Sequence, residues 1–212
     1  MSHFDPGCSL CPRLSSALKK IRQEYPDYHA RPVAPFGSAS PSLLIVGLAP
    51  GLHGANATGR PFTGDYAGIL LYETLHAFGF ASHPVSEHAG DRLKLKQCRI
   101  TNAVKCWPPA NKPLPDEINT CNRYLQTELN DLDTGAVILA LGRIAHLAVL
   151  KALNLKQKDH PFGHGQEHEL PKQRRLVDSY HCSRYNTQTG RLTPKMFQEI
   201  FSRIREIMDL SD

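Results

Sequence analysis

Residues 43–68 read LLIVGLAPGLHGANATGRPFTGDYAG, and this stretch decides the fold. Leu43-Leu44-Ile45-Val46 is short, wholly apolar and rich in branched side chains, the pattern of a buried strand. The run ends at Gly47 and opens into a loop holding Gly51, Gly54, Gly59, Gly64 and Gly68. Glycine lets backbone pass close to another molecule. The same loop carries His53, Asn56, Arg60, Phe62 and Asp65: cations, an amide, an aromatic face and a carboxylate. Helical spacing resumes at Ile69, with Leu70, Leu71, Leu75 and Phe78 on one side. A strand, a glycine-rich loop and a helix in succession place a ligand at the carboxyl end of a parallel strand. A long loop inside a compact domain is functional or disordered, and these polar types suit a reaction site.

Outward from this stretch, strands and helices alternate. A helix is expected over 12–24, followed by an extended connector over 25–41 that holds Pro26, Pro32, Pro35 and Pro41. The next helix spans about 67–80. Residues 99–104 (RITNAV) form a second strand, 115–132 a helix, 136–141 (AVILAL) a third strand and 142–153 another helix. A loop rich in His and Gly covers 156–170. Residues 175–179 (RLVDS) make a fourth strand, 184–193 a loop, and 194–208 a closing amphipathic helix. The fold class is therefore α/β: three αβα layers around a central four-stranded, mainly parallel sheet. The chain of 212 residues makes one domain, 1–212, with a core large enough to fold without staples. Polar clusters follow each strand and converge on one rim of the sheet.

Charge is mildly basic, 25 Lys+Arg against 20 Asp+Glu, which permits a polyanionic partner. The N-terminal MSHFDPGCSLCPRL has no apolar signal core, and no run approaches a membrane span. A cytoplasmic protein with no membrane partner is expected, working as a monomer. Six cysteines are too few and too irregular for a disulfide scaffold. Cys8 and Cys11 are separated by two residues in a Gly-Ser-Pro turn, and Cys106 and Cys121 by fourteen. Four such thiolates suit tetrahedral zinc or a 4Fe-4S cluster alike. Cys98 and Cys182 flank strands and read as core.

The other distinctive stretch is His181-Cys182-Ser183-Arg184-Tyr185-Asn186, running on to Thr189-Gly190-Arg191-Leu192-Thr193. With it, the chain resembles the uracil-DNA glycosylase superfamily. Gly47-Leu48-Ala49-Pro50-Gly51 and Thr58-Gly59-Arg60-Pro61-Phe62-Thr63-Gly64-Asp65 look like its first motif, and the His181 segment looks like its second. The resemblance is to family 5, the type-b enzymes. Two features stand out. Cys182 replaces the usual proline of His-Pro-Ser, and Leu48-Ala49 make the usual water-activating position apolar.

The resemblance implies a uracil-DNA glycosylase-like fold and excision of uracil, and of other deaminated bases such as hypoxanthine, from DNA during base excision repair. It implies a structural 4Fe-4S cluster on Cys8, Cys11, Cys106 and Cys121. It also distributes roles. His181 donates to O2 of the departing base, or is simply buried for packing. Asp65 holds water and offsets the sugar's developing positive charge, or caps a helix. Asn102 contacts the base edge or the water, or is a turn residue. Phe62 stacks on the flipped base, or packs in the core. Backbone from Gly47 through Ala49 to Gly51 lines the pocket, and His53 orients water. Arg184, Tyr185 and Asn186 enter the minor groove, while Arg60, Lys105 and Arg191 meet phosphates. The competing reading is a non-catalytic nucleic-acid binder with a structural metal site.

Overall fold

In a computed structural model, which describes residues 4–210, the chain builds a six-stranded sheet with helices on both faces. The elements are helix α1 (Pro12–Glu24), strand β1 (Phe36–Gly37), strand β2 (Leu43–Gly47), and helices α2 (Ala55–Thr58) and α3 (Tyr66–Ala77). Strand β3 (Cys98–Asn102), helix α4 (Pro115–Asn130), strand β4 (Val137–Leu141) and helix α5 (Arg143–Ala152) follow. Strands β5 (Glu167–Leu170) and β6 (Arg174–Ser179) and helices α6 (Arg184–Gln188) and α7 (Pro194–Asp209) complete the chain.

The sheet order is β1-β3-β2-β4-β6-β5. The four strands read from sequence are the central four, all parallel. The expected total of four is corrected to six. An antiparallel strand closes each edge: β1 inside the proline-rich connector, and β5 at the end of the His-rich loop.

The pleat sorts apolar side chains to two cores, because successive residues of a strand face opposite sides. Leu43, Ile45, Leu139 and Val177 pack under α3 and α7, joined by Leu71, Phe197 and Phe201. Leu44, Val46, Ile138, Ala140 and Leu176 pack under α4 and α5, joined by Leu125 and Val149. Helix α7 shows why it docks: Phe197, Ile200, Phe201 and Ile204 recur on one face, and Thr193 caps its start by accepting from Met196 N–H. Helix α1 sits apart from the sheet core. Its Leu14 and Leu18 pack on Val104, Cys106 and Cys121. Among the described residues no helix is long and apolar enough to cross a membrane.

Candidate active site

The carboxyl ends of β2, β3 and β6 open on one cavity of about 230 Å3. That is smaller than the roughly 300–1,000 Å3 of sites for drug-sized ligands. Leu48, Ala49 and Gly51 line it after β2, Asn102 at the end of β3, and His181 after β6. Phe62 and Asp65 line it from the glycine-rich loop. Two segments more than a hundred residues apart in sequence thus share one space, as expected.

Asp65 is the N-cap of α3, and its carboxylate accepts from Gly68 N–H at 2.9 Å. Burial raises its pKa, against the lowering effect of the Gly68 and Ala67 N–H groups. Gly54 makes room for it: a Cβ there would stand 2.8 Å from Asp65 Oδ2. The cap and a place at the cavity wall coexist in one side chain.

The His181 ring stacks on Phe62 with centroids 5.9 Å apart. Burial pushes its pKa down to about 4, so the imidazole is neutral near pH 7. Among the described residues its ring nitrogens make no hydrogen bond. Phe62 holds φ at 55°, a strained value for a side-chain-bearing residue, and such strain gathers at functional sites.

Asn102 is buried, and its Oδ1 has no hydrogen-bond partner. A buried amide oxygen left open at a cavity wall asks for a donor from a ligand. Gly47 pairs with Asn102 in the β2–β3 register. A Cβ on Gly47 would meet Asn102 Oδ1 at 2.5 Å and Phe62 Cζ at 2.7 Å. Gly47 therefore stands behind the wall rather than in it. Its missing side chain lets the aromatic ring and the amide close over the strand end.

Four further expectations are corrected. His53 is exposed, outside the cavity, with Nδ1 hydrogen-bonded to Tyr28 Oη at 2.8 Å and its ring edge-on to Tyr25. Arg60 is buried and committed inward. Its guanidinium donates to Asp91 Oδ1 at 2.7 Å, to Ser86 Oγ and to the Ala89 carbonyl. Burial would raise the Asp91 carboxyl, but Arg60 and the Leu93 and Glu87 N–H groups hold it at about 2. Arg60 therefore ties two loops together and is not free for phosphate. Lys105 is buried as well, paired with Glu128 and Thr101. Asn186 donates its amide to the His181 carbonyl at 2.8 Å, which fixes the second motif instead of reaching outward. Arg184 and Tyr185 are exposed on α6, and the Arg184 guanidinium lies over the Tyr66 ring.

Sequence reasoning missed Asn111 at the cavity wall. It ends a short turn that begins at Pro109, has φ of 56°, and accepts from Trp107 Nε1 at 3.2 Å. The adjacent Pro108-Pro109 pair was the available signal, since it forces a turn next to the second strand's end.

Cys8, Cys11, Cys106 and Cys121 come together from α1's approach, the β3–α4 segment and α4, lining one small cavity with no disulfide among them. Lys105 N–H points at Cys121 Sγ, 3.3 Å away. Burial first, then their mutual proximity, raises Cys11 and pushes Cys106 up to about 12. Among the described residues no three of these sulfurs lie within 4.8 Å of one another. Cys98 and Cys182 are fully buried in the core, as expected.

The strand ends of this α/β sheet enclose one cavity walled by a carboxylate, an amide, an aromatic ring and a neutral imidazole. The chain belongs to the uracil-DNA glycosylase superfamily, whose family model matches residues 34–205. It is 46% identical over 211 residues to the type-5 uracil-DNA glycosylase of Thermus thermophilus, covering 96% of this chain and 95% of that protein. It is 43% identical to the type-5 uracil-DNA glycosylase of Mycobacterium bovis, covering 94% of this chain and 78% of that one. A solved structure, wild-type Pedobacter heparinus SMUG2, matches with a TM-score of 0.49 at 16% identity, covering 92% of this chain and 84% of that chain.

Proposed function

We propose that this chain is a monofunctional DNA repair glycosylase that flips uracil out of DNA and hydrolyses its bond to deoxyribose, leaving an abasic site. The observation that carries this reading is the single cavity shared by Asp65, Asn102, Phe62 and His181. Cleaving that bond builds positive charge on the sugar and negative charge on the base, and both must be stabilised. His181, neutral and with open ring nitrogens, donates to O2 of the departing base. Asp65 faces the sugar and holds the attacking water. The open Oδ1 of Asn102 accepts from an N–H on the base edge. The Phe62 ring stacks on the base face. The described lining residues include no lysine to act as an amine nucleophile, so hydrolysis ends at the abasic site without strand cleavage.

Arg184 and Tyr185 meet the DNA beside the opening, with Arg191 as a phosphate contact. Unstacking the base costs a few kcal/mol, least for a mispaired base. The wall at Leu48 and Ala49 is apolar where a polar group would have selected one base edge. We therefore extend the substrate range to hypoxanthine. Duplexes holding uracil or hypoxanthine in a mismatch should both release the base. Release of uracil alone would confine the range to that base.

Cys8, Cys11, Cys106 and Cys121 hold a 4Fe-4S cluster in this reading. The four cysteines around one small cavity supply the four thiolates that such a cluster takes. Its role is to fasten α1 to the β3–α4 segment, since none of the four cysteines lines the base cavity.

A further inference from the structure

We infer that the protein carries a second metal site, a zinc-class divalent cation held by His146, His168 and Asp178. The three side chains come from α5, β5 and β6, and all are buried. One ligand atom from each lies within 4.8 Å of the others. None lines the base cavity or touches the cysteine cavity.

The hydrogen-bond partners orient the three ligand atoms. His146 Nε2 lies 3.0 Å from the His160 carbonyl oxygen. A carbonyl only accepts, so Nε2 carries the hydrogen. In a neutral ring Nδ1 is then a bare lone pair, and it faces Asp178 Oδ1 at 2.8 Å. An ionised carboxylate is also acceptor-only. That contact is bridged either by a second proton on the imidazole or by a cation. A third candidate ligand atom stands beside them: His168 Nε2 is 3.5 Å from Asp178 Oδ2, and neither atom has a hydrogen-bond partner. Without metal, protons on His146 Nδ1 and His168 Nε2 hold these contacts, and a bound cation would displace both. One cation bound to Nδ1, the carboxylate and Nε2 settles all three.

The surroundings suit a metal. A ligating histidine characteristically donates its other N–H to a carbonyl or carboxylate, which is what His146 does to His160. Two imidazoles and a carboxylate, with solvent as the fourth ligand, form a borderline-soft set that zinc accepts. The ion would clamp the edge strand β5 and helix α5 to β6. Asp178 is three residues before His181, so the clamp fixes the strand that delivers the catalytic imidazole. The role is structural, and the metal does not act on substrate.

The test is metal analysis of the intact protein, purified with its iron and dialysed against micromolar zinc and then against zinc-free buffer. The expected result is about one zinc per chain beside the iron. X-ray absorption at the zinc edge should show nitrogen and oxygen ligands at about 2.0–2.1 Å and no sulfur at about 2.3 Å. His168→Gln should lose the zinc and keep the iron. Three results would overturn the site: no retained zinc in the wild type, zinc with sulfur ligands, or zinc that persists in a folded His168→Gln protein. The wild-type absorption spectrum decides the question even if the variant does not fold.

Discussion

His181→Ala should lower the rate of uracil excision by roughly 100- to 1,000-fold, the loss that follows removal of one preorganised donor to a developing anion. Single-turnover kinetics on a uracil duplex measures it. The effect is expected in the chemical step, because the ring reaches the base only after extrusion, and DNA affinity should change little. A neutral imidazole is needed. Burial keeps His181 neutral down to about pH 4, so the donor does not titrate across the working range. Stability carries the same signature. The unfolded residue titrates near 6.5, above the folded value. Between those values the unfolded chain binds more protons, so wild-type stability falls as pH drops from about 6.5 toward 4. The alanine variant should lose less over that window. An unchanged excision rate would remove His181 from the chemistry.

Asp65→Asn separates the helix cap that the Asp65 carboxylate makes from the catalytic role proposed for it. Asparagine caps a helix about as well as aspartate, so α3 should keep its start and the melting temperature should stay close to wild type. The charge opposite the sugar and the acceptor for water are lost, and turnover should drop by about 100-fold or more. The pH profile gives a second readout. Burial raises the Asp65 carboxyl, so the acid limb of wild-type excision should lie above the ordinary carboxylate range. That limb should be absent from whatever activity the variant retains. If Asp65→Asn works at the wild-type rate, the residue is a cap alone.

The central sheet was legible because its strands are buried on both faces and read as continuous apolar runs, AVILAL most clearly. The edges were not. Strand β1 is two residues long, too short for any period. Strand β5 reads Glu-His-Glu-Leu and looks like loop, yet His168 and Leu170 turn inward while Glu169 faces water. That alternation also hid His168, which became visible only beside Asp178. Within the glycine-rich loop, residue types identified a site but not the direction of each side chain. Asp65 and Phe62 turn to the cavity. His53 and Arg60 turn away, because Tyr28 and Asp91 take them up from 25 and 31 residues distant. Long-range partners of that kind leave no local pattern. Gly47 was read as backbone lining the pocket, whereas it stands behind the wall and clears space for Asn102 and Phe62.

The central claim is that one cavity holds an extruded base between Asp65 and His181. Its most direct test is a gel of an end-labelled oligonucleotide with a single uracil, incubated with the purified protein and then treated with alkali. The account predicts one cut, at the uracil, that appears only after alkali. An intact strand under conditions where the protein saturates the DNA would contradict it, and a cut made without alkali would contradict the hydrolytic mechanism.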